Sequence, residues 1–165
     1  MFLMTTYTAA VNNPNNAIDV FKQLGTDEQL ALLWFVYKQT GNLVTPAAPG
    51  AASPDIASGL YDQVKAMKHQ QQLEEMRAIA QGEQGNRVSR EYGSLSSNTK
   101  LAFWFYLAQG MDKGEIIPMP DDYELTNQGQ DLLAAIESMD FEEQITVLRN
   151  AADSMGSAPA SGAKV

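Results

Sequence analysis

The chain has 165 residues, of which 44% are hydrophobic, so it can form one domain whose core needs no disulfide bonds. It contains no cysteine, which excludes disulfides, thiolate nucleophiles and cysteine metal ligands. Eleven basic and twenty acidic residues give a net charge of −9, which opposes binding to nucleic acid and to anionic lipid.

The two ends of the chain differ in composition from its middle. Residues 1–16 combine a mildly apolar stretch with the sequence NNPNN and are predicted to form an N-terminal arm. This stretch lacks the basic region of a signal peptide, and no segment approaches membrane-spanning length, so we expect a cytoplasmic protein. Residues 17–156 are predicted to form a helical domain, and the small, polar residues 157–165 a disordered tail.

The sequence TDEQLALLWFVYKQTG predicts a helix with a heavy aromatic load. Thr26 and Gln29 have the spacing of a capping box, and Gly41 is a typical helix stop. The uncharged connector that follows, residues 42–53, contains two prolines and is expected to be partly buried. One face of the helix carries Leu30, Leu33, Trp34 and Tyr37, which recur at helical spacing.

A second aromatic helix begins after Ser96 and repeats the pattern of the first. Trp104 stands eight residues after its cap, as Trp34 does in the first helix. Between the two lie a helix that starts at Pro54, its continuation after a bend near Lys68, and a short helix over residues 87–92. The stripe of the second aromatic helix consists of Leu101, Trp104, Ala108 and Met111.

The last two helices have clear start signals. Thr126 is placed to cap a helix that runs to Ser138, and Asp140 with Glu143 forms a capping-box pattern before the last helix. No segment shows the period-2 alternation of strands, so the fold class is predicted to be all-α.

Catalytic chemistry has no support in the sequence. The single histidine, His69, lies among lysine and glutamine, which favours a surface position over a role as a base. No phosphate-binding glycine loop, nucleophile elbow or metal-ligand cluster is present, so we expect neither an enzyme nor a metal protein. The rings and methionines on the two matching helices suit either a packed core or the wall of a binding cavity, and both alternatives remain open here.

Several segments together resemble a known family. The sequences LALLWFVY, PAAPGAAS, NTKLAFWFYL, IIPMP followed by Tyr123, and QITVLRNA occur in this order between residues 17 and 156. They resemble the N-terminal carotenoid-binding domain of the cyanobacterial orange carotenoid proteins, and most closely the stand-alone helical carotenoid proteins. The resemblance implies two interleaved four-helix bundles that form one domain, with a carotenoid tunnel between them.

The same resemblance assigns ligand-binding residues. It implies a ketocarotenoid of the canthaxanthin or echinenone class as the cofactor, with one terminal ring held by Trp34, Tyr37 and Trp104. The polyene is expected to contact Leu30, Leu33, Gly50, Met67, Met76, Leu101, Phe105, Met111, Met119, Pro120, Tyr123, Ala152 and Met155.

The expected function is that of a water-soluble, photoprotective carotenoid-binding protein that quenches singlet oxygen. Two alternatives are direct quenching of phycobilisome excitation and a pigment-free helical adaptor whose aromatic stripes are only core. The resemblance suggests two partners, which are the phycobilisome and a separate carotenoid carrier like the C-terminal domain of the two-domain relatives. It also suggests a position near the thylakoid or phycobilisome surface. Asn98 and Arg149 match residues that contact partners in two-domain relatives, although an ordinary surface role for Arg149 is equally compatible with the sequence.

Overall fold

A computed structural model describes residues 13–40 and 54–157, and every regular element within these ranges is an α-helix. The all-α prediction is therefore confirmed for the described part of the chain. Its helices are α1 (Pro14–Gln23), α2 (Thr26–Thr40), α3 (Pro54–Lys65), α4 (His69–Gln81), α5 (Arg87–Gly93), α6 (Ser97–Lys113), α7 (Asn127–Glu137) and α8 (Phe141–Asp153).

The helices pack as two groups of four. In one group α1 packs on α7 and α8, and α2 packs on α7. In the other, α3 packs on α4, α5 and α6, and α4 packs on α5. Contacts of α6 with α8 and of α2 with α4 and α6 join the groups. The first group takes helices from both ends of the described chain, so the two units are interleaved, as the family resemblance implied.

Local capping explains where most helices begin. The Asp140 carboxylate accepts the amide of Glu143 at 2.8 Å and the Glu143 carboxylate accepts the amide of Asp140 at 3.2 Å, which confirms the predicted capping box of α8. Ser96 and Thr126 cap α6 and α7 in the predicted way. Each cap satisfies amides that have no partner within the helix.

The predicted capping box at the start of α2 is wrong. The backbone amide of Gln29 donates to the carbonyl of Gly25 at 2.9 Å. Gly25 therefore occupies the cap position, and Thr26 is the first residue of the helix. The Gln29 side chain instead donates to the carbonyl of Phe21 at 3.0 Å, in the last turn of α1. That carbonyl lies at the C-terminal end of α1, where it also accepts the amide of Leu24 at 3.1 Å, and its second lone pair takes the Gln29 amide in place of the expected local partner. The predicted stop at Gly41 lies outside the described residues.

The helical region extends slightly beyond the predicted domain at its N-terminal end, and the chain is packed at its C-terminal end. Helix α1 starts at Pro14, within the predicted N-terminal arm. Ser157, the first residue of the predicted tail, is buried and donates its amide to the carbonyl of Ser89 at 3.2 Å. A Cβ on Gly93 would lie 1.8 Å from the carbonyl oxygen of Ser157, so only glycine permits this approach. Residues 1–12, 41–53 and 158–165, with the rest of the predicted arm and tail, lie outside the described residues.

The described core consists of apolar side chains from both helix groups. Its largest fully buried members include Phe21, Leu32, Tyr92, Phe103 and Leu132. None of the helices in the described ranges is both long and apolar enough to cross a membrane.

Candidate functional site

Two cavities lie along α2, between the helix groups. The first, between α2 and α6, has a volume of about 540 Å³ that includes space open to solvent, and its wall is almost entirely apolar. It contains both aromatic stripes that the sequence predicted. Its lining consists of Leu30, Leu33, Trp34, Tyr37, Leu101, Trp104, Phe105, Leu107, Ala108, Met111 and Leu148.

The second cavity lies between α2, α4 and the connector from α6 to α7, and its volume of about 670 Å³ includes space open to solvent. It is richer in methionine and proline than the first, and an ion pair stands in its wall. Its lining consists of Asp27, Leu30, Leu73, Met76, Arg77, Met111, Ile117, Pro118, Met119, Pro120 and Tyr123.

The two cavities share Leu30 and Met111, so they meet at these two side chains. We call the combined space the cleft and the pair Leu30 and Met111 its waist. Both side chains are only partly buried and pack against the core. A cleft of this shape suits a ligand that is long, narrow and mostly apolar.

The aromatic end of the cleft is built from rings on α2 and α6. The rings of Trp34 and Tyr37 lie 5.7 Å apart between centroids, and Tyr37 meets Phe105 edge-on at 5.8 Å. The Tyr37 hydroxyl donates to Asp112 at 2.9 Å, and Lys38 binds the same carboxylate at 3.3 Å. Burial, and then the hydrogen bond and charge of Asp112, raise the pKa of Tyr37 above its usual value. The ring is therefore held neutral and in one orientation.

Trp104 forms the opposite wall and is fixed from behind. Its indole N–H donates to the hydroxyl of Tyr92 at 2.8 Å, and that hydroxyl donates to the carbonyl of Ala152 at 2.5 Å. Tyr92 and Phe103 both meet the Trp104 ring edge-on. Burial raises the pKa of Tyr92 well above its usual value, so the phenol remains a donor. These two hydrogen bonds link α5, α6 and α8 behind the first cavity.

A buried carboxylate supports the wall of the second cavity. Glu28 is 7% exposed and accepts hydrogen bonds from the hydroxyl of Tyr123 at 2.9 Å and from the amide and hydroxyl of Thr126 at 2.8 and 3.0 Å. Burial first, and then the hydrogen bond to Glu28, raise the pKa of Tyr123 to about 12. Glu28 thereby ties the start of α2 to the N-terminus of α7, where a negative charge is favoured.

Most of the expected ligand contacts lie together along the cleft. Eight line the first cavity, and Met76, Met119, Pro120 and Tyr123 are added by the second. Met67 is partly buried, and Ala152 and Met155 are buried in the core, so these three line neither cavity. Gly50 lies outside the described residues. Ligand contact stays a prediction for the whole set.

The sequence did not indicate several lining residues. Leu107 and Leu148 look like ordinary core leucines, whereas Ile117 and Pro118 belong to a connector whose apolar character was visible in the sequence. Nothing in the local sequence connects Asp27 with Arg77, which are 50 residues apart.

The two candidate partner-contact residues lie on helices that pack against each other. Asn98 is in the first turn of α6 and Arg149 is in α8, and both are partly buried. Within the part of the chain that the structure describes, neither side chain forms a hydrogen bond or an ion pair. Their role in contacting a partner stays a prediction.

The described ranges contain no candidate metal-binding site. Residues 13–40 and 54–157 contain no group of three histidine, aspartate or glutamate side chains that could hold a metal ion. His69 is exposed at the first position of α4.

Comparison with known proteins places the chain in a family. Residues 7–158 match the family model described as the N-terminal domain of orange carotenoid protein. An orange carotenoid-binding domain-containing protein of Nostoc sp. is 46% identical over 144 residues, which is 87% of this chain and 84% of the relative. The orange carotenoid-binding proteins of Limnospira maxima and Synechocystis sp. are each 40% identical over 82% of this chain, which spans 43% of their length.

Solved structures agree with this assignment. The red carotenoid protein of Anabaena (Nostoc) sp. binding canthaxanthin is 43% identical and superimposes with a TM-score of 0.78 over 87% of this chain and 98% of that one. The orange carotenoid protein of the same organism binding canthaxanthin is 34% identical, with a TM-score of 0.82 over 92% of this chain and 49% of that one. These relatives are carotenoid-binding proteins. The chain therefore belongs to the orange carotenoid protein N-terminal domain family.

Proposed function

We propose that this protein binds a ketocarotenoid of the canthaxanthin or echinenone class along the cleft and quenches singlet oxygen through it. The observation that carries the proposal is that two mostly apolar cavities adjoin at Leu30 and Met111, whose side chains line both. Family membership supports a carotenoid as the ligand, and two similar structures hold canthaxanthin. When bound, the polyene takes excitation from singlet oxygen and releases it as heat.

The chain's contribution is to bind and orient the pigment. A polyene carries no charge, so its binding free energy must come from buried apolar area, at about 25 cal/mol per Å² before the costs of association. The flat faces of Trp34 and Trp104 suit a terminal ring, because both line the first cavity and Trp104 is held by its hydrogen bond to Tyr92. Flexible methionines such as Met76 and Met111 can adapt to the methyl groups of the polyene.

The waist of the cleft gives the sharpest test of binding. We expect Met111→Trp to block the passage between the cavities, because the indole is larger than the thioether and Met111 borders both spaces. Met139→Trp is the matched control, since Met139 is also partly buried but lines neither cavity. Both proteins and the parent would be made in a canthaxanthin-producing host and assayed by visible absorbance per mole of purified protein.

The parent and Met139→Trp should copurify with pigment, and Met111→Trp should lose most of it while keeping its helical circular dichroism. A colourless parent protein would refute the proposal and favour the pigment-free adaptor. A fully pigmented Met111→Trp would show that the ligand does not pass the waist.

Singlet oxygen quenching needs a separate measurement. The decay of singlet oxygen luminescence would be followed with equal concentrations of the pigmented and pigment-free protein. The pigment-free sample controls for the eight methionines and the aromatic side chains, which also react with oxidants. The pigmented sample should shorten the lifetime substantially more, and equal lifetimes would refute this part of the proposal.

Direct quenching of the phycobilisome is the second candidate. It is favoured by the absence, in the described ranges, of side-chain partners for Asn98 and Arg149 on the packed pair α6 and α8. The net charge of −9 opposes docking on an acidic antenna. Fluorescence of isolated phycobilisomes should fall on addition of the pigmented protein, and Arg149→Ala should reverse that fall while Arg87→Ala leaves it. Unchanged fluorescence would exclude this function. A separate carotenoid carrier stays a prediction.

A further inference from the structure

The second cavity contains an ion pair in an otherwise mostly apolar wall. Asp27 on α2 and Arg77 on α4 both line it. The Nε and Nη2 atoms of Arg77 donate to the two carboxylate oxygens of Asp27 at 2.8 and 3.0 Å. This bidentate geometry fixes the orientation of the planar guanidinium group.

The guanidinium keeps hydrogen-bond donors to spare. Arginine has five N–H groups, and Asp27 takes two of them, so three remain. Tyr123 is the other side chain with a donor in this cavity's lining, and its hydroxyl hydrogen already goes to Glu28. Among the described side chains that line the second cavity, Arg77 is therefore the one with free donors.

The Arg77–Asp27 ion pair lies at a position where the polar end group of a ligand would keep part of its hydration. The side chains of Arg77 and Asp27 are 38% and 51% exposed, so they lie at the solvent-facing mouth of the cavity, whereas Leu30 and Met111 border the first cavity. A neutral carbonyl oxygen that enters an apolar cavity without a donor loses its hydrogen bonds to water. A donor at the mouth removes that loss for a carbonyl but offers nothing to a hydrocarbon ring.

We propose that Arg77, oriented by Asp27, donates a hydrogen bond to the keto oxygen of the carotenoid ring that lies in the second cavity, and so selects oxygenated carotenoids over pure hydrocarbons. This inference rests on the proposed function. It assigns to Arg77 a specificity role at the end of the cleft opposite the aromatic rings.

The test is a competition between canthaxanthin and β-carotene for the pigment-free protein, with the bound ratio measured by extraction and chromatography. Arg77→Met should lower the ratio of canthaxanthin to β-carotene about fivefold, which corresponds to one hydrogen bond of about 1 kcal/mol. The contribution of the aromatic end is the same in parent and variant and therefore cancels. Arg87→Met is the matched control, because Arg87 forms a surface ion pair with Glu91 at 3.6 Å and lines neither cavity.

A second variant separates donation from the ion pair. Asp27→Asn removes the negative charge but keeps an amide oxygen that can accept from the guanidinium, so Arg77 stays partly oriented and the bound ratio should fall by less than in Arg77→Met. An unchanged ratio in Arg77→Met would overturn the inference, as would an equal loss in Arg87→Met or Asp27→Asn. If the parent binds neither pigment, the proposed function itself fails, and that outcome is distinct from binding without discrimination.

Discussion

Replacing Tyr92 with phenylalanine removes one buried hydroxyl that joins three elements. The hydroxyl accepts the indole N–H of Trp104 and donates to the carbonyl of Ala152. Tyr92 is 0% exposed, so water cannot readily replace the lost group. The Ala152 carbonyl also accepts the amides of Ser154 and Met155 at the end of α8 and keeps those partners. The Trp104 N–H is left without one.

The expected loss of stability comes from the Trp104 N–H, because it loses its partner whereas the Ala152 carbonyl keeps others. An unsatisfied buried donor costs about 1–3 kcal/mol, so we expect Tyr92→Phe to lower the free energy of unfolding by about 2 kcal/mol. For a chain of this size, that corresponds to a fall in Tm of about 4–8 °C. The ring itself remains, so its edge-on contacts with Phe103 and Trp104 should survive.

Urea unfolding of the pigment-free protein, followed by circular dichroism, measures this loss directly. Tyr106→Phe is the matched control, since Tyr106 is partly buried and its hydroxyl has no hydrogen-bond partner in the described part of the chain. The control should change stability by less than about 0.5 kcal/mol. A similarly small effect of Tyr92→Phe, with an unchanged m-value, would refute the idea that this hydroxyl secures Trp104.

The remaining predictions concern packing and pH. Gly129→Ala should destabilise the fold by about 1–3 kcal/mol in urea, because its Cβ would lie 2.1 Å from Oε2 of Glu28, and two hydrogen bonds from Thr126 hold that oxygen in place. Gly59→Ala, also inside a helix but with no atom within 4 Å of the added Cβ, should instead stabilise by about 0.5–1 kcal/mol, and equal effects would contradict the argument. Burial and hydrogen bonds to carboxylates raise the pKa of Tyr61 and Tyr123 to about 12, against an ordinary value of 10.0. The unfolded chain therefore loses these protons first, so stability should be full below about pH 10 and fall towards about pH 12. Tyr61→Phe should flatten that fall in unfolding measured across the pH range, and an unaltered slope would speak against it.

Local chemistry explains what could be predicted about the fold. The capping box of Asp140 and Glu143 and the caps at Ser96 and Thr126 use neighbours three residues apart, so they are visible in the sequence. The failure at Thr26 has the opposite cause, since Gln29 found a carbonyl in the preceding helix that no local pattern reveals.

In the candidate site, too, the sequence predicted the local pattern of residues but not how they pack. Helical spacing places Leu30, Trp34 and Tyr37 on one face of α2, and these residues do line the first cavity. Spacing could not tell whether such a stripe faces a packed core or an open space, because both require the same apolar residues.

The helices, the two aromatic stripes and the family could be predicted from the sequence, since each depends on residues close together or on a long ordered match. Three features appear only in the packed fold: the cavities adjoin at Leu30 and Met111, Tyr92 secures Trp104, and Arg77 binds Asp27 at the mouth of the second cavity. These features join side chains on different helices. Their distances depend on how the two helix groups pack, which no local pattern of residues specifies.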